Sequence, residues 1–308
     1  MQVLLFFLLL LVYLLSLTGN LVIITVTLLD PRLHTPMYYF LRNFSMVEIG
    51  FISNSIPNML RHLLSGQKVI SAVACFAQLF FVFFLGIMEF CLLGVMAVDR
   101  YVAVCHPFQY LVIMNDQRCL WLVLGCWLIS FLFALPLNIL ITRLPLCGPN
   151  TINHFMCDSG PLISMACSNT WLINLIDLIL ATATLFGTLV IVVASYIKII
   201  LTVLHLPSAK DQSRAFSTCS SHFLVVSMLY GSCIFAYIQP EQQGHLDFNK
   251  EVSVLNMVVI PLLNSFIYSL RNKTMQEALK GICDVKQQAV ERALGQQLTQ
   301  EVNNRPSC

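Results

Sequence analysis

Residues 1–29, MQVLLFFLLLLVYLLSLTGNLVIITVTLL, contain no Asp, Glu, Lys or Arg. A helix crossing a bilayer needs ~20 mostly apolar residues, because lipid offers the backbone no hydrogen-bond partner and a helix satisfies its own groups locally. The stretch 3–15 alone has the character of a signal-peptide core. It runs on to Leu29, however, without a basic start or a small-residue cleavage site, and so reads as a first membrane helix. Six further apolar runs lie near 37–60, 74–104, 119–142, 172–203, 215–239 and 251–270, which makes seven. A transmembrane β-barrel would instead show ~10-residue segments of alternating hydrophobicity.

Composition agrees. Of 308 residues, 57% are apolar and only 10% charged, against about a quarter charged in an ordinary soluble domain. That is too little polar surface for a water-soluble globule and too little charge for a disordered chain. A net charge of +2 gives no reason to expect nucleic acid. Orientation follows from the positive-inside rule. One side holds Arg32, Arg42, Arg100, Arg118, Lys198, Lys210, Arg214 and the tail's Arg271, Lys273, Lys280, Lys286, Arg292 and Arg305; the other holds Arg61, Lys68, Arg143 and Lys250. The expectation is an all-α membrane protein, a seven-transmembrane helix bundle with its N-terminus outside and its C-terminus cytoplasmic. Residues 1–282 form one domain and 283–308 a cytoplasmic tail. Four of the twelve cysteines, Cys75, Cys147, Cys157 and Cys167, fall on the outer side, where an oxidising lumen allows two bridges. Four cysteines permit three pairings, and spacing does not choose among them.

Polar residues within the spans carry the chemistry. Glu48 and Glu89 lie near the membrane midplane on the second and third helices, with Asn264 somewhat nearer the cytoplasm on the seventh. Two carboxylates brought together cannot both stay charged cheaply, so they share a proton or bind a small cation such as sodium. The plainer alternative is two separate polar contacts between helices. Asp99-Arg100-Tyr101 closes the third helix at its inner end; Arg100 there is either a partner-switching group or a snorkelling anchor. Pro57, Pro136 and Pro261 each remove a helical hydrogen bond and bend their helices. The outer-loop stretch His154-Phe155-Met156-Cys157-Asp158 has donors suited to copper or zinc, but a disulfide sulfur would be a poor ligand.

LHTPMYYFL (33–41), MAVDRYVAVCHP (96–107), SYIKIIL (195–201), RAFSTCSSH (214–222) and PLLNSFIYSLRN (261–272), in this order, resemble the odorant (olfactory) receptors of the rhodopsin-like G-protein-coupled receptor class. The likeness runs from about Gly19-Asn20 to Leu279. It implies that Asp99, Arg100 and Tyr101, with Asn264 and Tyr268, form the switch toward a heterotrimeric G protein, the stimulatory olfactory α subunit that raises cyclic AMP. It also implies the pairings Cys75–Cys157 and Cys147–Cys167. The sequence departs from the family pattern in four places. Ser265 replaces the Pro of the Asn-Pro-x-x-Tyr motif, so a milder kink is expected. Val98 and Asn256 each replace a usual Tyr. The family's outer N-terminal segment, with its glycosylation acceptor, does not precede the first helix, and the sequons Asn43-Phe44-Ser45 and Asn272-Lys273-Thr274 face the cytoplasm. A shortened or pseudogene-like form with poor surface delivery is therefore expected.

Such a bundle holds its ligand between helices three, five, six and seven in the outer half. Residues one turn apart share a face, which selects Val82, Phe83, Gly86 and Ile87 on the third helix. The resemblance adds Leu180, Ala181 and Thr184 on the fifth, Tyr230, Cys233, Ile234 and Tyr237 on the sixth and Met257 on the seventh. This lining has no central charge, which points to a small, mostly hydrophobic odorant held by Thr184 or Tyr237 and away from amines. Two other functions compete. A proton- or cation-coupled transporter would use Glu48 and Glu89, but no internal duplication is visible. An enzyme is not expected, since the seven histidines are scattered and no His-Glu-x-x-His or Gly-x-Ser-x-Gly pattern occurs. No cofactor is implied; the surrounding partner is membrane lipid.

Overall fold

Hydropathy marks where a chain is immersed, whereas hydrogen-bond caps mark where helices end, and the two differ by a few residues at most ends here. A computed structural model describes residues 2–65, 69–147, 156–238, 255–270, 272, 274–281 and 284, with the backbone alone at 214, 218, 236–238, 255 and 270. The tail beyond 284 and the tip of the second outer loop lie outside the described residues. Seven membrane helices follow the seven apolar runs: α1 (Gln2–Leu29), α2 (Pro36–Ser65), α3 (Ala72–Cys105), α4 (Asp116–Thr142), α5 (Trp171–Leu204), α6 (Ala209–Ile238) and α7 (Ile260–Leu270). Ser71 caps α3 by accepting from the Ala74 N–H, and Asn115 caps α4 by accepting from the Arg118 N–H at 2.9 Å. Both caps lie just outside the apolar windows. At the first inner turn the Arg32 guanidinium bonds Asp30 at 2.7 Å and holds that carboxyl below its usual range.

By length and composition α1, α3, α4 and α5 can each cross a membrane, and α6 joins them as a bent span whose two parts, Ala209–Ser217 and Cys219–Phe235, meet at 47°. Arg42, Glu48 and Arg61 thin the hydropathy of α2, and α7 is short, so packing rather than hydropathy secures those two. A π-helical turn, Leu255–Val259, leads into α7, and the change to α-helix falls beside Pro261, which cannot donate to the carbonyl four residues back.

Large apolar side chains face outward, among them Phe7 and Leu11 on α1, Trp121, Leu128 and Leu132 on α4 and Val190 and Ile197 on α5. Polar side chains face inward: Asn20, Glu48, Ser55, Asp99, Arg100, Ser130, His222 and Asn264 are all buried. This is the distribution lipid imposes. Helix α3 is the central rod, packed against α2, α4, α5 and α6. At its outer end Cys75 is joined to Cys157 of the second outer loop, with Cα atoms 5.4 Å apart. A second bridge, Cys147–Cys167, closes the loop's base, where Cys147 N–H donates to Met165 O and Cys167 N–H to Pro145 O. The loop carries one short helix, Ser159–Ser164, capped by the Asp158 carboxylate.

Helices α1 and α7 approach closely at Gly19. A Cβ there would stand 2.7 Å from Ser265 Oγ and 2.9 Å from Ser265 Cβ, and Ser265 is itself buried. Ser265 thus occupies the seam between two helices, with its hydroxyl donating to Leu262 O at 2.9 Å. Gly19→Ala is expected to destabilise the bundle by about 1–3 kcal/mol through overpacking, and Ser265→Gly in the same chain should recover most of the loss. Thermal unfolding of the detergent-solubilised single and double variants measures both; an additive double variant would refute the contact.

Candidate functional site

The outer half of the bundle encloses a cavity of about 200 Å³. Helix α3 contributes Val82, Phe83, Gly86, Ile87 and Phe90; α4 contributes Phe133, Ala134 and Leu137; α5 contributes Asp177, Leu180, Ala181, Thr184 and Leu185; α6 contributes Cys233. The three-and-four spacing on α3 and α5 is what turns these residues to one face. Eight residues picked out from the sequence meet here: Val82, Phe83, Gly86, Ile87, Leu180, Ala181, Thr184 and Cys233. Three do not line the cavity. Tyr230 lies beneath it, Ile234 packs on the main core, and Met257 belongs to a separate cluster with Leu9, Ile52 and Ile56; the Tyr237 side chain lies outside the described residues. Among the described residues the fourth wall comes from α4.

The wall also carries a carboxylate that the sequence did not single out, Asp177, toward the outer end of the cavity rather than at its centre. Extending the Leu180–Thr184 face one turn outward would have found it. Ser159 Oγ donates to Asp177 Oδ2 at 3.1 Å.

Below the cavity, polar contacts step down toward the cytoplasm. Phe90, a cavity residue, meets the Tyr230 ring edge-on at 5.2 Å. Tyr230 OH donates to Thr188 Oγ1 at 2.7 Å, and Thr188 Oγ1 donates to Thr184 O at 2.6 Å. About two turns further in, the Tyr196 hydroxyl lies 2.8 Å from His222 Nδ1, and His222 Nε2 lies 3.1 Å from Leu93 O. A carbonyl can only accept, so Nε2 carries the proton and Nδ1 accepts from Tyr196. One imidazole thereby ties α3, α5 and α6 together. Tyr196 and His222 sit inside SYIKIIL and RAFSTCSSH, but nothing in either run singles them out; their role comes from helix packing.

At the inner end of α3, Arg100 Nη2 bonds Asp99 Oδ2 at 2.5 Å and Arg100 Nε reaches the same oxygen at 3.1 Å. The other oxygen, Oδ1, accepts from Tyr110 OH at 2.8 Å. Both charges are buried, and Asp99 thus joins the helix end to the loop helix Tyr110–Ile113. Breaking such a pair leaves a buried charge uncompensated, so the arrangement holds until another partner arrives. Tyr101 points elsewhere, its hydroxyl 3.2 Å from His106 Nε2.

Glu48 accepts from Asn264 Nδ2 at 2.6 Å and is close enough to Glu89 for their charges to interact. Around them Glu89 Oε1, Asn20 Oδ1, Asn264 Oδ1, Ser45 Oγ and Tyr268 OH are buried with no hydrogen-bond partner among the described residues. Each orphan of this kind costs about 1–3 kcal/mol. An all-oxygen set with two carboxyls fits a shared proton, a hard cation or water. In the outer loop, His154 lies outside the described residues, and Cys157 is held in its bridge.

The family model described as "Olfactory receptor" matches residues 9–286. Olfactory receptor 6C4 of Homo sapiens is 52% identical over 280 residues, 91% of each chain. Olfactory receptor 6E1 of Mus musculus is 48% identical over 281 residues, 91% of this chain and 90% of its own. Squid rhodopsin superposes with a TM-score of 0.70 at 18% identity, over 88% of this chain and 77% of its own, which speaks to the fold alone.

His222→Phe keeps the ring volume but removes the imidazole that bonds the Leu93 carbonyl and the Tyr196 hydroxyl, leaving Tyr196 only its longer bond to Cys219 O at 3.3 Å. The expected loss is about 1–3 kcal/mol of stability, seen as a lower unfolding temperature. Adding Tyr196→Phe should then cost little more, because the two act as one contact; two independent, additive losses would break the assignment.

Proposed function

Because the chain belongs to the olfactory receptor family of multi-pass membrane receptors, we propose that it detects small, volatile, largely hydrophobic molecules in the cavity between α3, α4, α5 and α6. Binding there favours an arrangement in which Arg100 leaves Asp99 and engages a heterotrimeric G protein. The partner is the stimulatory olfactory α subunit, and the output is a rise in cyclic AMP. The observation that carries this reading is a series of inter-helix contacts spaced from the cavity wall toward the inner face. Phe90 lines the cavity and touches Tyr230; Tyr230 is bonded to α5 through Thr188; and Tyr196 with His222 joins α5 and α6 to α3 seven residues above Arg100.

A ligand can shift this equilibrium only by binding one arrangement better than the other. The cavity supplies that difference if its shape changes when α6 moves, and Cys233 places α6 in its wall. The bend in α6 lies inward of Cys233, between the residues that touch the cavity and those at the cytoplasmic end. The basic segment from Lys210 to Arg214 and the turn at His106 and Pro107 complete the inner surface offered to the G protein. The Glu48–Glu89 cluster serves as a proton or cation site that steadies the unliganded packing of α2, α3 and α7.

Arg100→Ala, matched for surface level, is expected to lower ligand-evoked cyclic AMP at least about tenfold, equivalent to roughly 1.4 kcal/mol of lost coupling. The measurement is a reporter assay over an odorant panel; parental signalling from this variant would overturn the proposed switch.

A further inference from the structure

Asp177 is the single charged side chain in the cavity wall among the described residues. It stands on α5, one face turn outward of Leu180 and Ala181, and its presentation is fixed from the loop side. Ser159, which bonds its Oδ2, follows Cys157 by two residues. Cys157 is tied to α3 by its bridge and by its own N–H, which donates to Gln78 Oε1 at 3.1 Å. The second carboxylate oxygen, Oδ1, makes no hydrogen bond among the described residues. Two turns deeper on the same face, Thr184 also lines the cavity, and its Oγ1 is buried without a partner among the described residues. Seven helical residues put about 10 Å between the two groups, and the walls between them are apolar: Phe83, Ile87, Leu180 and Ala181.

Resting on the cavity as the ligand site, we propose that this receptor is tuned to small amines, with the ammonium head on Asp177 and the apolar body extending toward Thr184. A primary aliphatic amine keeps its proton at neutral pH, with a pKa near the ~10.4 of a lysine. An ammonium donates to Oδ1 in a charge-assisted bond, about twice as strong as a neutral one. An alcohol offers one neutral donor. A hydrocarbon or ketone offers none, and covers the carboxylate without replacing its water. Size is compatible, since an engineered cavity of about 150 Å³ holds benzene and this one is about 200 Å³. The sequence reading excluded amines because it looked for a charge at the centre of the lining; the carboxylate stands toward its outer end.

The test uses the full-length, detergent-solubilised receptor and thermal unfolding, which reports binding without a G protein. Benzylamine, benzyl alcohol and toluene share one skeleton. Benzylamine is expected to bind about tenfold or more tighter than benzyl alcohol, and toluene weakest. Asp177→Asn and Asp177→Ala should each remove the amine's advantage while leaving stabilisation by toluene in place. An amine no better than its alcohol on the parent chain, or an advantage that survives both substitutions, overturns the proposal. Ala181→Leu adds bulk to the cavity wall and should weaken all three probes. Should it weaken none, the cavity itself is not the ligand site; a loss there beside indifferent Asp177 variants rejects the amine preference alone.

Discussion

Nothing in the hydrocarbon core of a bilayer can hydrogen-bond to a polar group, and every feature of this bundle answers to that fact. Backbones close into helices, apolar side chains cover the outside, and whatever is charged or polar is driven to the centre. Glu48, Asp99, Arg100, His222 and Asn264 are accordingly buried among helices rather than in water. Once there, each group can be satisfied only by another helix, so the polar residues decide which helices touch. Asn264 on Glu48 draws α7 to α2, and His222 on the Leu93 carbonyl draws α6 to α3.

The same constraint divides the molecule along its length. The outer half keeps a mostly apolar space whose walls are pinned from above by the Cys75–Cys157 bridge. The inner half carries paired polar groups, among them Tyr196 with His222 and the buried Asp99–Arg100 contact. Between the two, Tyr230 is packed against a cavity residue on one side and hydrogen-bonded to α5 on the other. A change of shape above therefore meets a set of discrete polar contacts below, each either made or broken, which is the kind of element that can be bistable.

Much of this was legible in the residues. The seven apolar runs become seven helices, and at α3 and α4 a polar cap, Ser71 or Asn115, extends the helix past the greasy segment. The face of α3 turned to the cavity follows from three-and-four spacing, and Val82 to Ile87 meet there the α5 residues Leu180 to Thr184 that the resemblance supplied. Tyr230 and Met257, also supplied by the resemblance, pack outside the cavity wall, because motif order gives a residue's helix but not its depth or its neighbour. Asp177 lies on the α5 face of Leu180 and Thr184, one turn beyond the residues the resemblance names.

What the sequence determined by itself is the immersion pattern, the orientation and the membership of the faces, since these depend on transfer of side chains between water and lipid and on the fixed pitch of a helix. Tertiary structure alone decided which faces meet. That Gly19 seats Ser265, that α4 supplies a wall of the cavity, and that one histidine links three helices are all properties of how the rods cross. Crossing is set by side-chain shape at contacts far apart in the chain, and no local pattern records it.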